Sequence, residues 1–354
     1  MKILHTADIH LRKLNDERWL VLSKLIEIGK KQKVDLFVIS GDLFDKNIDA
    51  ERLRPKIRRL FSGNGFKLVI IPGNHDKDSF RSGMYFGSDT VIISEFGRSF
   101  DYKNVRVIGL PFEEIGENEA LERIHALKDK LSPDKENIVV CHGELLDVYF
   151  SRRDFGDEGD ARYMPFKLSY FSDLNVNYIL AGHFHTHFDV RIMDNGGYFV
   201  YPGSPISITR REIGQRKINL FNIGKEPKEF TLDTPYFDEI IIDLDPHGKE
   251  KALDIIKDRI KVIPPNARPI INIRGFFNGA KENTNEEKLV REIEKIIPKE
   301  AELSPPEICD ARLILEDDLF KEFQKKLGEL DVDEEAKKQM LDMAIEAMVE
   351  AKKP

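Results

Sequence analysis

The sequence predicts an α/β domain, then a smaller βαβαβ unit and a C-terminal helix. Three observations carry this. Short apolar runs, such as Leu36-Phe37-Val38-Ile39, alternate with stretches of helical period. Several of these runs stop at polar residues able to hold a metal, beginning with Asp42 after Gly41. The alternation fades near residues 224–227 and resumes after Thr234-Pro235 without such residues at the strand ends. The divisions expected are 1–230, 235–325 and 331–354.

Residues 2–7 form the first expected strand, with Asp8 and His10 at its end. Asn15 is the expected cap of a helix reaching about residue 31, because Trp19, Leu22, Leu25 and Ile26 recur near helical period. The run 35–40 reads as a buried parallel strand, and Gly41 lets the chain turn so that Asp42 sits at its carboxyl edge. A helix over 51–61 has to place Pro55 in its first turn. Strands are expected over 66–71, 105–110, 137–141, 177–181 and 198–201, with a helix over 117–131. In the second unit, strands over 239–244, 269–275 and 308–315 alternate with helices over 249–262 and 285–297. Residues 333–352 form a separate amphipathic helix striped by Met340, Leu341, Ala344, Ile345, Met348 and Val349.

The formal net charge is -8, which excludes nucleic-acid binding by bulk charge and leaves only local basic patches. Cys141 and Cys309 stand alone, so neither a disulfide framework nor a thiolate zinc site is implied, and a reducing cytoplasm is expected. The start, Met1 to His5, is too short and too soon polar for a signal peptide. No apolar run reaches the roughly 18 residues of a membrane span.

Five expected strands end in metal-competent side chains: Asp8 with His10, Asp42, Asn74, His142, and His183 with His185. Carboxylate, amide and imidazole together suit divalent manganese, iron or zinc. Asp42 has two oxygens and can touch two cations, so it is the expected bridge. Each residue alone has an ordinary explanation. A histidine at a strand end is usually a polar edge residue, and Asn-His-Asp is common in turns. Their coincidence at the ends of strands of one domain is what points to a metal site.

At these positions the sequence resembles the calcineurin-like metallophosphoesterases: Asp8-Ile9-His10, Gly41-Asp42-Leu43-Phe44-Asp45, Gly73-Asn74-His75-Asp76, His142-Gly143 and Gly182-His183-Phe184-His185. The resemblance implies two stacked mixed sheets flanked by helices, a four-layer fold. It implies one ion on Asp8, His10, Asp42 and His185, and a second on Asp42, Asn74, His142 and His183. It makes His75 the group that faces the leaving oxygen or orients the phosphate. Asp45, as a carboxylate near that imidazole, would favour its protonated form.

Further stretches resemble the double-strand-break repair nucleases of the SbcD type: His5-Thr6-Ala7-Asp8-Ile9-His10-Leu11, Gly109-Leu110-Pro111-Phe112, and Tyr201-Pro202-Gly203-Ser204-Pro205 with Gly214-Gln215-Arg216-Lys217. Some of those nucleases carry histidine where Asp45 stands. The resemblance implies a manganese-dependent exo- and endonuclease, a DNA-contacting cap, a homodimer and an ABC-type ATPase partner with long coiled coils. Candidate DNA contacts are Arg52, Arg54, Lys56, Arg58 and Arg59; Arg152, Arg153 and Arg162; and Arg210, Arg211, Arg216 and Lys217. The alternative is a phosphomonoesterase or small-substrate phosphodiesterase with the same metals. Lys46-Asn47 after Asp45 counts against a phosphoprotein phosphatase. The complete ligand set counts against a scaffold without activity.

Overall fold

The computed structural model describes residues 1–81, 83–147 and 163–351. The chain divides into two compact units, Met1–Phe237 and Asp238–Pro354.

In the first unit the strands are β1 (Lys2–Thr6), β2 (Leu36–Ser40), β3 (Lys67–Ile71), β4 (Thr90–Ile92), β5 (Ser99–Tyr102) and β6 (Val105–Leu110). They continue as β7 (Glu136–His142), β8 (Tyr178–Gly182), β9 (Asp189–Ile192), β10 (Tyr198–Tyr201), β11 (Lys217–Asn222) and β12 (Glu229–Thr231). The helices are α1 (Glu17–Lys31), α2 (Asn47–Leu60) and α3 (Glu117–His125). One sheet has the order β12-β11-β1-β2-β3-β4 and the other β5-β6-β7-β8-β10-β9. Strands β1 to β4 are parallel, as are β6, β7, β8 and β10. Thr6 pairs with Ile39, and Ser40 with Ile71, so the carboxyl ends of β1, β2 and β3 are level.

Three apolar layers hold this arrangement. Ile3, Val38, Val69 and Ile71 meet Val107, Val140 and Leu180 between the sheets. Leu22, Leu25, Leu53 and Ile57 of α1 and α2 pack with Leu4, Phe37 and Ile70 of the first sheet. Ile124 of α3 packs with Ile108, Val139 and Ile179 of the second. The result is the expected mixed α/β fold with two sheets flanked by helices. Covering both faces of each sheet explains why β2 and β8 are apolar runs without alternation.

Two local expectations change. The cap of α1 is Asp16, which accepts from Trp19 N at 2.9 Å; Asn15 takes a left-handed conformation before it. Helix α2 starts at Asn47, so Pro55 lies inside it. Leu53 and Ile57 bury one face, while Pro55 is exposed, so water can serve the carbonyl that lacks its usual donor.

The second unit begins within β13 (Tyr236–Leu244) and continues with α4 (Ala252–Lys261), β14 (Ala267–Phe277), α5 (Gly279–Glu282), α6 (Glu286–Ile296), β15 (Glu302–Leu303) and β16 (Glu307–Asp310). Helices α7 (Arg312–Leu315), α8 (Asp318–Gly328) and α9 (Glu334–Ala351) follow. Its sheet runs β13-β14-β15, with β16 also paired to β14. Ile256 of α4 with Leu289 and Ile293 of α6 covers Ile242, Ile271 and Ile273. The strand expected over 308–315 ends at Asp310. Its carboxylate accepts from Gly279 N and Arg312 N, at 2.9 and 3.0 Å, and turns the chain into α7. Ile345 of α9 is fully buried against Ala311, Ile314 and Phe320. No described helix is long and apolar enough to cross a membrane.

Candidate metal centre

The site is built at the carboxyl ends of the central strands of both sheets. The loop after β1 is zipped to the loop after β2: Ile9 N and His10 N both donate to Asp42 O at 2.9 Å, and Leu11 N donates to Leu43 O at 2.9 Å. The loop after β3 is tied to the same place. Asp76, fully buried, accepts from Gly73 N at 2.8 Å and Phe44 N at 3.1 Å, and Asp42 Oδ1 accepts from His75 N at 2.9 Å. From the second sheet, His183 N donates to the Asp8 carboxylate at 3.1 Å. Two glycines make this convergence possible. A Cβ at Gly73 would lie 2.2 Å from Asp42 Oδ1, and one at Gly41 would lie 2.1 Å from His142 Nδ1. Gly41 also has φ of +93°. Asp8, His10, Asp42 and His183 themselves take positive φ, at 54°, 51°, 51° and 95°.

The side chains expected as ligands meet here. Asp8 groups with His10 and His185, and Asp42 with Asp8 and His142, each set offering ligand atoms within 4.8 Å of one another. His142 Nε2 is 3.3 Å from Asp42 Oδ2 and 2.9 Å from Asn74 Oδ1. Its Nδ1–H donates to Ser40 O at 2.8 Å, which leaves Nε2 to face the site. The His183 ring lies 5.3 Å from that of His142. His75 also comes within reach of His10 and Asp42, and its ring packs edge-on against His10 at 4.6 Å.

Charge in the site is unbalanced without a cation. Burial pushes Asp8 up to about 6, against the pull of His185 and His142. Burial alone would raise Asp42 as well, but His142 and His10 hold it well below the usual carboxylate range. Burial opposes a charged His142, yet Asp42 and Asp8 outweigh it and push it up to about 10. The carboxylates therefore demand positive charge, which a protonated imidazole supplies in the bare chain. Among the described residues, His10 Nε2, Asp42 Oδ2 and both ring nitrogens of His185 are buried without a hydrogen-bond partner, His185 Nδ1 lying 3.4 Å from Glu212 Oε1. Such atoms are costly unless something coordinates them. Donor chemistry, burial and these orphaned atoms all fit divalent cations.

Asp45 takes a different place from the one expected. Its carboxylate faces Arg12 at 2.9 Å, Arg18 at 3.2 Å and His10 Nδ1 at 3.8 Å. Its contact with His75 runs through the backbone, with His75 Nδ1 3.2 Å from Asp45 O. Arg216, expected in a basic surface patch, is 2% exposed and donates to the carbonyls of Thr186 and Ser204. A guanidinium spent on buried carbonyls offers nothing to a phosphate. Lys217 pairs with Glu229 at 2.5 Å. Arg52, Arg58, Arg59, Arg210 and Arg211 are exposed and Arg54 is half-buried, with Arg58 stacked 5.2 Å over Tyr85. Arg152, Arg153 and Arg162 lie outside the described residues. His187 is exposed. Sequence reasoning missed Arg18, Glu212 and the inward role of Arg216. Glu212 sits in the stretch before Gly214-Gln215, and only its full burial distinguishes it from a surface residue.

The model of the calcineurin-like phosphoesterase family matches residues 1–187, more than half of the chain. The chain belongs to this family. It is therefore a hydrolase of the phosphoesterase superfamily, a family that uses a dinuclear metal site. The chain is 25% identical over 306 residues to the DNA double-strand break repair protein Mre11 of Saccharolobus solfataricus, covering 77% of this chain and 74% of that one. It is 24% identical to the SbcD component of the SbcCD nuclease of Staphylococcus epidermidis, over 74% of this chain and 76% of that protein. The Mre11 of Sulfurisphaera tokodaii is 26% identical over 69% of this chain and 63% of its own length.

Proposed function

We propose that this chain is a two-metal, manganese-dependent DNA nuclease that hydrolyses phosphodiesters in double-strand-break repair. The observation that carries the reading is the convergence of Asp8, His10, Asp42, Asn74, His142 and His185 in one cluster, in a phosphoesterase chain related to Mre11 and SbcD proteins. Asp8, His10, Asp42 and His185 are assigned to one ion, and Asp42, Asn74, His142 and His183 to the other. When bound, the pair supplies Lewis acidity and lowers the pKa of water to the working range.

The chain's own residues do the rest. Asp8 and Asp42 provide the negative charge that selects cations. His142, with Nδ1–H committed to Ser40 O, keeps Nε2 directed at the site. His75 is partly exposed, and Nδ1–H donation to the Asp45 carbonyl makes Nε2 the atom that holds or delivers a proton to the departing oxygen. Asp45, between Arg12, Arg18 and His10, anchors the loop that carries this carbonyl. Arg52, Arg54, Arg58 and Arg59 on α2, with Arg210 and Arg211, are assigned to DNA phosphates, and the second unit to guiding the duplex.

The relatives' names support an ABC-type ATPase partner of the SbcC kind. The exposed Leu319 and Phe323 of α8 and Met343 of α9 are its proposed docking face. A homodimer in the cytoplasm completes the reading, and light scattering tests the dimer. The deciding assay compares manganese-dependent hydrolysis of bis(p-nitrophenyl) phosphate, p-nitrophenyl phosphate and linear duplex DNA. Preference for the diester with cleavage of the duplex is expected. Preference for the monoester with intact DNA defeats the nuclease reading and supports a phosphatase.

A further inference from the structure

Glu212 is fully buried, yet it belongs to none of the strand-end motifs. Its Oε2 accepts from Ser204 Oγ and Ile208 N, both at 2.8 Å. Its Oε1 accepts from Thr209 N at 3.2 Å and lies 3.4 Å from His185 Nδ1. Arg216, also buried, closes the back of this arrangement. It donates through Nε to Ser204 O at 3.0 Å, through Nη1 to Thr186 O at 2.9 Å and through Nη2 to His185 O at 2.5 Å. Ser204 N donates to the same His185 carbonyl at 3.0 Å. His185 is thus gripped at its backbone by Arg216 and Ser204 and faced at its ring by Glu212. The other ring nitrogen, Nε2, is 3.7 Å from Asp8 Oδ1.

We infer that Glu212, locked in place by Ser204 and Arg216, is a positioning residue that keeps the His185 proton on Nδ1 and turns Nε2 toward the metal site. This rests on the metal-site reading above. A buried carboxylate is costly unless it is paired. Capping the turn at residues 208–212 accounts for the contacts to Ile208 and Thr209, and the oxygen that accepts from Thr209 N, Oε1, also lies 3.4 Å from the imidazole Nδ1, so one carboxylate joins the turn to the ring. A carboxylate behind a ligating histidine fixes its tautomer and orientation, and losing it typically weakens metal binding by about 10–100-fold. The same contact also makes His185 a better electron donor to a cation.

The test is calorimetric titration of the full chain with Mn²⁺, wild type against Glu212→Gln. The expected result is two ions in the wild type, with one binding step weakened by about 10–100-fold in the variant. Unchanged affinity for both ions in a folded Glu212→Gln overturns the positioning role and leaves the metal site standing. A wild type that binds no manganese overturns both. A lower melting temperature with unchanged affinity assigns Glu212 to the turn alone and also overturns the inference. Should Glu212→Gln fail to fold, histidine ¹⁵N shifts of the zinc-loaded wild type decide. A proton on His185 Nδ1 with Nε2 bound to metal is expected, and the reverse arrangement overturns the inference.

Discussion

The two units of this chain use β-sheets in opposite ways. In the first, β2 and β8 are buried along their whole length, because each sheet has apolar layers on both faces. In the second, β14 alternates between covered and open positions, and pairs such as Arg274–Asp243 sit in solvent. Doubly covered sheets bring strand ends together away from water. There, carboxylates such as Asp8 and Asp42 can be fully buried and still held by backbone donors. A sheet fully covered on one face and only partly on the other, where Phe276 meets the cluster around Ile345, yields a stable platform but no comparable enclosure. The difference shows what such a cluster needs from a fold: a junction of loops whose carboxylates are buried, which apolar strands supply and amphipathic ones do not.

The largest expected effect tests that junction. Asp42→Ala removes the carboxylate assigned to both ions. It should lower manganese-dependent diester hydrolysis by at least ~10³-fold, the equivalent of several kcal/mol of lost charge stabilisation. The circular-dichroism spectrum should stay native. Activity within tenfold of wild type would place the chemistry elsewhere. His75→Ser should cost about 10²–10⁴-fold in the same assay. It should leave the manganese content measured by elemental analysis unchanged. Loss of an ion from this variant would make His75 a ligand.

The second unit predicts a stability effect instead. The amphipathic stripe of the last helix offers two uses for Ile345, partner docking or packing on its own unit, and its full burial selects packing. Ile345→Asp places an unpaired charge among apolar side chains. It should cost about 2–5 kcal/mol by chemical denaturation, on the scale of large core substitutions, without changing diester hydrolysis. An unchanged denaturation midpoint would return the helix to the role of a free docking segment.

A smaller effect, in the first unit, depends on pH. Burial pushes His5 from 6.5 down to about 3, while its Nε2 contacts Ser40 Oγ at 2.8 Å. Between those two values the unfolded chain takes up a proton that the native one refuses. Stability contributed by His5 is therefore present above pH 6.5 and lost as pH falls toward 3. In chelator, His5→Gln should flatten the fall in stability between pH 7 and pH 5, measured by urea titration, by at most about 1.4 kcal/mol per pH unit. A slope equal to that of wild type would show that His5 does not drive acid sensitivity. The smallest expected effect is that of Leu319→Ser and Phe323→Ser. At exposed positions these should move stability by no more than about 0.5 kcal/mol. They should weaken co-purification with the proposed SbcC-type partner, and undiminished co-purification would remove α8 from the proposed docking face.

The site was largely legible in the sequence because its residues are spelled out at strand ends in chain order. Asp8, His10, Asp42, Asn74, His142 and His185 follow predictable apolar runs, and the fold needs only to make those ends level. Arg216 was misread because a guanidinium in a run of basic residues resembles solvent-exposed charge. Nothing local announces that the Thr186 and Ser204 carbonyls will bury it. Strands β4 and β12 are three residues long, too short for any periodicity to register, and exist through pairing with the longer β3 and β11. Helix α8 did carry a signal, Phe320 and Leu327 on one face, in a stretch assigned mostly to the cap division 235–325 without an element of its own.

The positive φ angles of Asp8, His10, Asp42 and His183 carry one more consequence. Left-handed backbone costs most L-residues roughly 1–2 kcal/mol. Asparagine, aspartate and histidine bear it better than other side chains. The letters at these positions are thus filtered twice, once by the ligand role proposed for them and once by the shape of the chain beneath them. Evolutionary drift toward an inactive relative would be channelled toward asparagine or glycine, which keep that shape, before alanine or valine. A descendant could then keep the outline of the signature long after losing its reaction, and the surviving letters would record geometry where they once recorded catalysis.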